Sequence, residues 1–261
     1  MILSSSQTIK QILKQRPLAA QVLEQEFGFL IWDRMETPLS NLCSDKGVDS
    51  HPLLERILAL PVPPADTDWG KKPIYWVIDR LTRDHIAFRE TDMPSILAII
   101  ESERLPAFPD GYVAKLLLQE FKYFQTDFSK HMAVEEEFLF PKIMRNEACF
   151  RYREHGPEVF RGSVNLYLVF ETHKPEEEFK RMIVSIREKL RNQHMHHATA
   201  ELAERAQAAL DGFSERLFAH ADLESNVLFP RAGRLEEELF ENSAPGISRY
   251  PENGICSPNR D

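Results

Sequence analysis

The chain has 261 residues, of which 43% are hydrophobic and 28% are charged, a composition that is ordinary for a globular protein. Its formal net charge of −9 argues against a nucleic-acid partner, because phosphate binding needs clustered lysine and arginine. It shows neither an export signal nor a stretch with the length of a transmembrane helix. Cys43, Cys149 and Cys256 are far apart in the sequence and form no CxxC pair, which suits a reducing compartment. We therefore expect a cytoplasmic protein without nucleic-acid or membrane partners.

Residues 1–60 are predicted to form a small domain of short helices. Thr8 and Gln11 have the spacing of a capping box, in which two side chains satisfy the first backbone groups of a helix. Gly47 suits the left-handed position that ends a helix. Asp49 follows it and is predicted to begin the next helix.

The rest of the chain divides into a linker, a long helical region and a tail. Residues 61–72 contain closely spaced prolines and no apolar period, which indicates a linker. In residues 73–240, apolar side chains recur every three or four positions along four long segments. Residues 241–261 are rich in Pro, Gly, Ser and Asn, which predicts disorder. The sequence therefore predicts an all-α fold, an up-down four-helix bundle that follows a small N-terminal helical domain.

Polar residues interrupt the apolar helix faces at positions where the periodicity demands core. Two stretches share the pattern H-x3-E-x3-L-F-P-[KR], one beginning with His131 and Glu135 and the other with His220 and Glu224. Each histidine and glutamate are four residues apart, so both side chains lie on one face of their helix. Such a long shared pattern indicates two related helical hairpins within the bundle.

A lone histidine lies one helix before each repeat, His85 in the first half and His173 in the second. In an antiparallel hairpin, residues at the same height are equidistant from the turn. The midpoint between each of the four histidines and the next falls in a turn-forming stretch, such as Pro109-Asp110-Gly111 or the region of Gly156-Pro157. All four imidazoles are therefore predicted to lie at one level of the bundle.

Imidazoles and carboxylates at one level of an apolar bundle predict a metal site, because without a metal their burial would carry a large desolvation cost. Two carboxylates can bridge two cations that share the four imidazoles. Mixed histidine and carboxylate ligation without thiolate suits iron or manganese better than structural zinc. The predicted ligands are His85, His131, Glu135, His173, His220 and Glu224.

The residues around the predicted ligands are interpreted as structural. Glu136 and Glu137 are expected to point away from the helix face that carries Glu135. Pro175 is expected to interrupt the third helix and could shift the height of His173. Several phenylalanines in the apolar stripes are expected to flank the ligands and to keep bulk water out. They are Phe88, Phe124, Phe128, Phe138 and Phe213.

The repeated pattern, with an earlier lone histidine in each half, resembles the hemerythrin-like (HHE cation-binding) domains. The layout is most similar to the iron–sulfur cluster repair di-iron proteins, in which a short helical domain precedes a hemerythrin-like bundle. Asp68-Trp69, Arg89-Glu90 and the stretch from Glu224 to Arg231 also look like that family. The resemblance implies two non-haem iron ions, with His85, His131, His173 and His220 as terminal ligands and Glu135 and Glu224 as bridges.

The same resemblance implies a role in nitrosative or oxidative stress and in iron–sulfur cluster repair or maintenance, with O2, NO or peroxide binding at the di-iron site. The family's N-terminal domain carries an adjacent Cys-Cys pair just after the position of Gly28, where this chain reads Phe29-Leu30-Ile31-Trp32. Two alternatives therefore stay open. One is a sensor of O2, NO or iron that signals to a protein partner through the N-terminal domain. The other is an enzyme that reduces NO or peroxide.

Overall fold

The computed structural model describes residues 3–62, 64, 67–101, 111–152, 175–191 and 197–241. Within these ranges the chain is helical, and the only β-type contact is an isolated bridge between Thr8 and Pro38. None of the helices in the described ranges is long and apolar enough to cross a membrane. The α-helices are α1 Ile9–Gln15, α2 Ala19–Phe27, α3 Leu39–Lys46, α4 Ser50–Leu58, α5 Ile74–Ala87, α6 Met93–Glu101, α7 Gly111–Val134, α8 Phe140–Arg151, α9 Pro175–Arg191, α10 His197–Leu223 and α11 Phe229–Glu241.

Helices α1 to α4 form an N-terminal module whose helix ends follow the local sequence signals. The capping box of Thr8 and Gln11 is present at the start of α1. Helix α3 ends at Gly47, whose φ of 67° lies in the left-handed region that favours glycine. The side chain of Asp49 accepts a hydrogen bond from the backbone of His51 at 2.9 Å and so caps α4. These sequence predictions are confirmed.

The predicted all-α bundle is also confirmed, and the turns that the sequence predicts between its long helices lie outside the described residues. The first bundle helix comprises α5 and α6, the second α7 and α8, the third α9, and the fourth α10 and α11. The described parts of these helices end at Glu101, Arg151 and Arg191, and the helices that follow begin at Gly111, Pro175 and His197. Pro175 is the first residue of α9, and His173 lies outside the described residues. The tail beyond residue 241 lies outside them as well.

The buried apolar residues form two clusters that are stacked along the bundle. The first, which we call the module-end core, joins the N-terminal module to the start of α5, to α8 and to α11. The second, which we call the aromatic core, combines α6, α7, α9, α10 and Phe88. Along their helices, His85, Glu135 and His220 fall between the two clusters, and His131 lies at the edge of the aromatic core between Phe128 and Met132. The ligand positions therefore form a buried polar layer between two apolar ones.

The N-terminal module is held on the bundle by buried hydrogen bonds as well as by the shared core. Glu24 of α2 accepts a hydrogen bond from the Tyr75 hydroxyl at 2.6 Å and from the Trp32 indole N–H at 3.0 Å. Its other oxygen accepts from Arg151, at the end of α8, at 2.8 Å. A buried carboxylate with this many donors fixes the angle of α2 against the bundle, because leaving any of them unpaired is costly.

Candidate metal centre

Each of the three helices that carry a described ligand widens into a π-helical turn beside that ligand. Isolated π turns are uncommon inside α-helices and are frequent at functional sites. A proline follows the start of each turn by six residues. Because proline has no N–H, it cannot continue the wider hydrogen-bonding register, and the α-helix resumes. The turns are Phe88–Asp92, Glu135–Leu139 and Glu224–Leu228, and the prolines are Pro94, Pro141 and Pro230.

Four of the predicted ligands converge in the polar layer. Ligand atoms of His85, Glu135, His220 and Glu224 all lie within 4.8 Å of one another, and all four residues are buried. The Nε2 atoms of His85 and His220 are 3.3 Å apart, and His85 Nε2 is also 3.3 Å from an oxygen of Glu135. Bonds of about 2.0–2.2 Å to one ion place ligand atoms about 3–4 Å apart. The cluster therefore has the dimensions of a metal site.

The fifth described ligand, His131, reaches the cluster through Glu135. Its Nε2 atom lies 3.3 Å from Oε1 of Glu135, whereas Oε2 of the same carboxylate faces His85. The imidazole of His131 packs beside the rings of Phe128 and Phe179, at centroid distances of 6.0 and 5.2 Å. One carboxylate thus spans two imidazoles. That arrangement offers one ion position beside His85 and a second beside His131.

The hydrogen bonding of Glu224 tests whether these residues fit a cation. Its side chain is 0% exposed, and neither carboxylate oxygen accepts a hydrogen bond from the residues that the structure describes. Its close contact is with His220 Nε2, at 3.3 Å from Oε1. A buried carboxylate without hydrogen-bond donors is strongly destabilising unless a cation compensates it. The donor set therefore fits a bound metal ion.

The pKa values of two buried imidazoles, His85 and His220, are raised when no metal is bound. Burial by itself lowers the pKa of His220, but the nearby carboxylates of Glu224 and Asp84 outweigh it and raise that pKa to about 10. Burial also lowers the pKa of His85, yet hydrogen bonds to Glu135 and Glu136 leave it raised above its ordinary value. A metal ion that binds at Nε2 must therefore displace protons.

Two carboxylates behind the ligands complete the site. Glu136 points away from the helix face of Glu135, as its position predicts. Its carboxylate nevertheless contacts His85, on the side of the ring away from the cluster, at 3.0 Å from Nδ1. Asp84 lies 3.6 Å from His220 Nδ1. The sequence analysis predicted only that Glu136 points away from the face of Glu135, and it did not predict the contact with His85. Nothing in the local sequence marks this contact, because it joins residues on two different helices.

Most phenylalanines around the site are buried and pack near the imidazoles, and one lies on the surface. The ring of Phe88 meets His220 edge-on at 5.5 Å, and Phe140 stacks on His85 at 5.6 Å. The expectation that Phe138 shields the ligands is wrong, because its side chain is 71% exposed. The π turn that begins at Glu135 changes the helical register and places this residue on the outside. Phe124 and Phe213 lie in the aromatic core, and both contact the rings next to the ligands.

Comparison with known proteins agrees with this geometry. The sequence model of the Hemerythrin HHE cation binding domain matches residues 76–232, which is more than half of the chain and includes all five described ligands. The "Iron-sulfur cluster repair protein YtfE" of Escherichia coli O8 (strain IAI1) is 26% identical over 202 residues, which cover 74% of this chain and 82% of that protein. The protein of the same description from Escherichia coli O157:H7 is 25% identical over the same shares. The chain belongs to the hemerythrin HHE cation-binding domain family.

Proposed function

We propose that the protein is a non-haem di-iron protein that acts in iron–sulfur cluster repair or maintenance under nitrosative or oxidative stress. The observation that carries the proposal is the position of Glu135, whose two oxygens face two different imidazoles in a buried layer. A carboxylate in this position can bridge two cations. The similarity to proteins described as iron–sulfur cluster repair proteins supports the biological role.

The ligands would be divided between the two ions across the bundle. One ion would lie between His85 and His220, which come from different hairpins and whose Nε2 atoms are 3.3 Å apart. The second would lie beside His131, and His173 is the further ligand that the sequence predicts for it. Glu135 and Glu224 would bridge the two ions.

Bound iron would supply open coordination positions for O2, NO or peroxide and the capacity to change oxidation state. The protein's own residues would control access and polarity. Phe88, Phe128 and Phe179 surround the imidazoles and exclude bulk water, which strengthens each electrostatic interaction in the layer. The carboxylates neutralise the cations and keep them in place. We place this chemistry in the cytoplasm, in line with the cysteine usage of the chain.

Metal analysis after anaerobic reconstitution with Fe(II) tests the proposal. We expect two iron ions per chain and an optical spectrum that changes when NO or O2 is added. Reconstitution with Mn(II) under the same conditions distinguishes iron from manganese. An iron–sulfur enzyme damaged by NO should regain activity with the iron-loaded protein and not with the metal-free protein. One ion or none per chain would contradict the bridged site.

A sensor is the second candidate, and one contact favours it. Glu137, two residues after Glu135, forms ion pairs with Lys10 and Lys14 of the N-terminal module. A change at the metals could therefore reach the module, which lacks the Cys-Cys pair of the repair family. A sensor would bind NO or O2 stoichiometrically without restoring damaged clusters. Sustained consumption of NO or peroxide with a chemical reductant would instead indicate an enzyme.

A further inference from the structure

The imidazole of His85 is held from both sides. Its Nε2 atom faces the ligand cluster, while its Nδ1 atom lies 3.0 Å from an oxygen of Glu136. The same oxygen of Glu136 is 2.8 Å from the guanidinium of Arg89, one turn beyond His85 on the first bundle helix. The Glu136 side chain is only 10% exposed. A largely buried carboxylate is thus fixed by an arginine directly behind a candidate ligand.

The second imidazole of the same ion position has a similar arrangement. Asp84 lies 3.6 Å from Nδ1 of His220 and is paired with Arg80 at 3.0 Å. Both arginines and Asp84 come from the helix that carries His85, whereas Glu136 comes from the second bundle helix. The Asp84 contact is longer than a hydrogen bond, whereas the Glu136 contact has hydrogen-bond length. Glu136 is therefore the stronger candidate.

We propose that Glu136 is a positioning residue for the metal centre: it accepts the hydrogen bond from Nδ1–H of His85 and so directs Nε2 of that imidazole towards the metal. Such a carboxylate fixes the tautomer and the orientation of the ring and raises the basicity of the ligand. Arg89 keeps the carboxylate in place. This inference rests on the proposed function, because it assigns a partner to one ligand of the proposed metal site.

A purely structural role predicts something different. If Glu136 only joined two helices through its ion pair with Arg89, its removal would lower the stability of the fold and leave the state of His85 unchanged. The neighbouring Glu137 provides the matched control. It lies on the same π turn and forms ion pairs with Lys10 and Lys14, and no described contact links it to His85.

The first measurement uses the metal-free protein, so it does not depend on iron binding. Nitrogen-15 spectra of labelled histidines report whether Nδ1 of His85 carries a proton and how fast that proton exchanges, with the signal assigned from His85→Gln. We expect a protonated, slowly exchanging Nδ1 in the wild type and in Glu137→Ala. In Glu136→Ala this signal should shift and exchange faster. An unchanged His85 signal in Glu136→Ala would overturn the proposal.

The second measurement is the affinity for Fe(II), determined by competition with a chelator under anaerobic conditions. Loss of such an outer carboxylate typically weakens metal binding about 10–100-fold, so we expect this for Glu136→Ala and a smaller loss for Glu136→Gln. Glu137→Ala should bind as the wild type does. Equal weakening in both alanine variants would mean that the turn as a whole matters and would refute a specific role for Glu136. Failure of the wild type to bind iron would contradict the proposed function, while the spectra would still decide whether Glu136 orients His85.

Discussion

Metal affinity should rise steeply with pH, because His220 holds a proton in the metal-free site. Its pKa of about 10 follows from the carboxylates of Glu224 and Asp84, which outweigh the effect of burial. At pH 8 the imidazole is then about 99% protonated, and each displaced proton makes the affinity tenfold higher per pH unit. His220 alone therefore predicts an increase of about 100-fold between pH 6.5 and 8.5. The raised pKa of His85 adds to this slope.

Calorimetric titration in buffers of different ionisation enthalpy measures the released protons directly. At least one proton per chain should be released at pH 8 when Fe(II) binds without oxygen. Zn(II) serves as a control for iron oxidation, since it has no redox chemistry and binds the same kinds of ligand. An affinity that does not depend on pH in this range would refute the reasoning, because it would mean that His220 is already neutral or is not a ligand.

The same pKa predicts how the metal-free fold responds to pH. Because folding raises the pKa of His220, protonation of this imidazole stabilises the metal-free fold. The stabilisation is complete below the unfolded-state pKa of about 6.5 and is lost as the pH rises through the folded-state pKa of about 10. In that window the metal-free protein should lose at most about 1.4 kcal/mol per pH unit from this group. The metal-loaded protein carries no such proton. The difference between the two melting temperatures should therefore widen as the pH rises, and a constant difference would contradict the assignment.

Four substitutions test other parts of the structure. Glu135→Ala should lose both ions together, whereas His131→Ala should keep one, as metal analysis would show; retention of both in Glu135→Ala would exclude a bridge. Pro230→Ala restores a backbone N–H just after the π turn and lets the hydrogen-bonding register there change, so we expect weaker metal binding without a loss of thermal stability in the metal-free protein. Tyr75→Phe removes a donor from buried Glu24 and should cost about 1–3 kcal/mol in denaturant unfolding, with unchanged metal content.

Periodicity and helix-end signals were sufficient to predict the architecture. The sequence predicted that the histidines lie at one level of the bundle, because neighbouring histidines are equally far along the chain from the predicted turn between them. The structure brings His85, His131 and His220 together with both glutamates. The residues come together because helical position depends on the residue count along a regular helix. The domain boundaries at 61–72 and the metal-ligand roles of all six residues, including His173, stay predictions.

The π turns explain why the surroundings of the site could not be predicted in the same way. An α-helical periodicity of 3.6 residues no longer applies once a π turn inserts an extra residue. That is why Phe138 faces outwards although its spacing predicted a buried position. A signal was nevertheless present, because Pro94, Pro141 and Pro230 stand at the same distance after the start of each π turn. The outer contact of Glu136 with His85 has no such signal, since it depends on how two helices pack.

Three consecutive glutamates on the second bundle helix contact parts of the molecule that are far apart in the sequence. Glu135 faces the ligand cluster, Glu136 lies behind His85, and Glu137 pairs with Lys10 and Lys14 of the N-terminal module. All three lie on the π turn, where successive side chains still point in different directions around the helix axis, so three in a row can face three different partners. Any movement of this turn that accompanies a change at the metals must therefore alter the contact with the module. Under the sensor proposal, the N-terminal module would respond to the metal centre through these ion pairs.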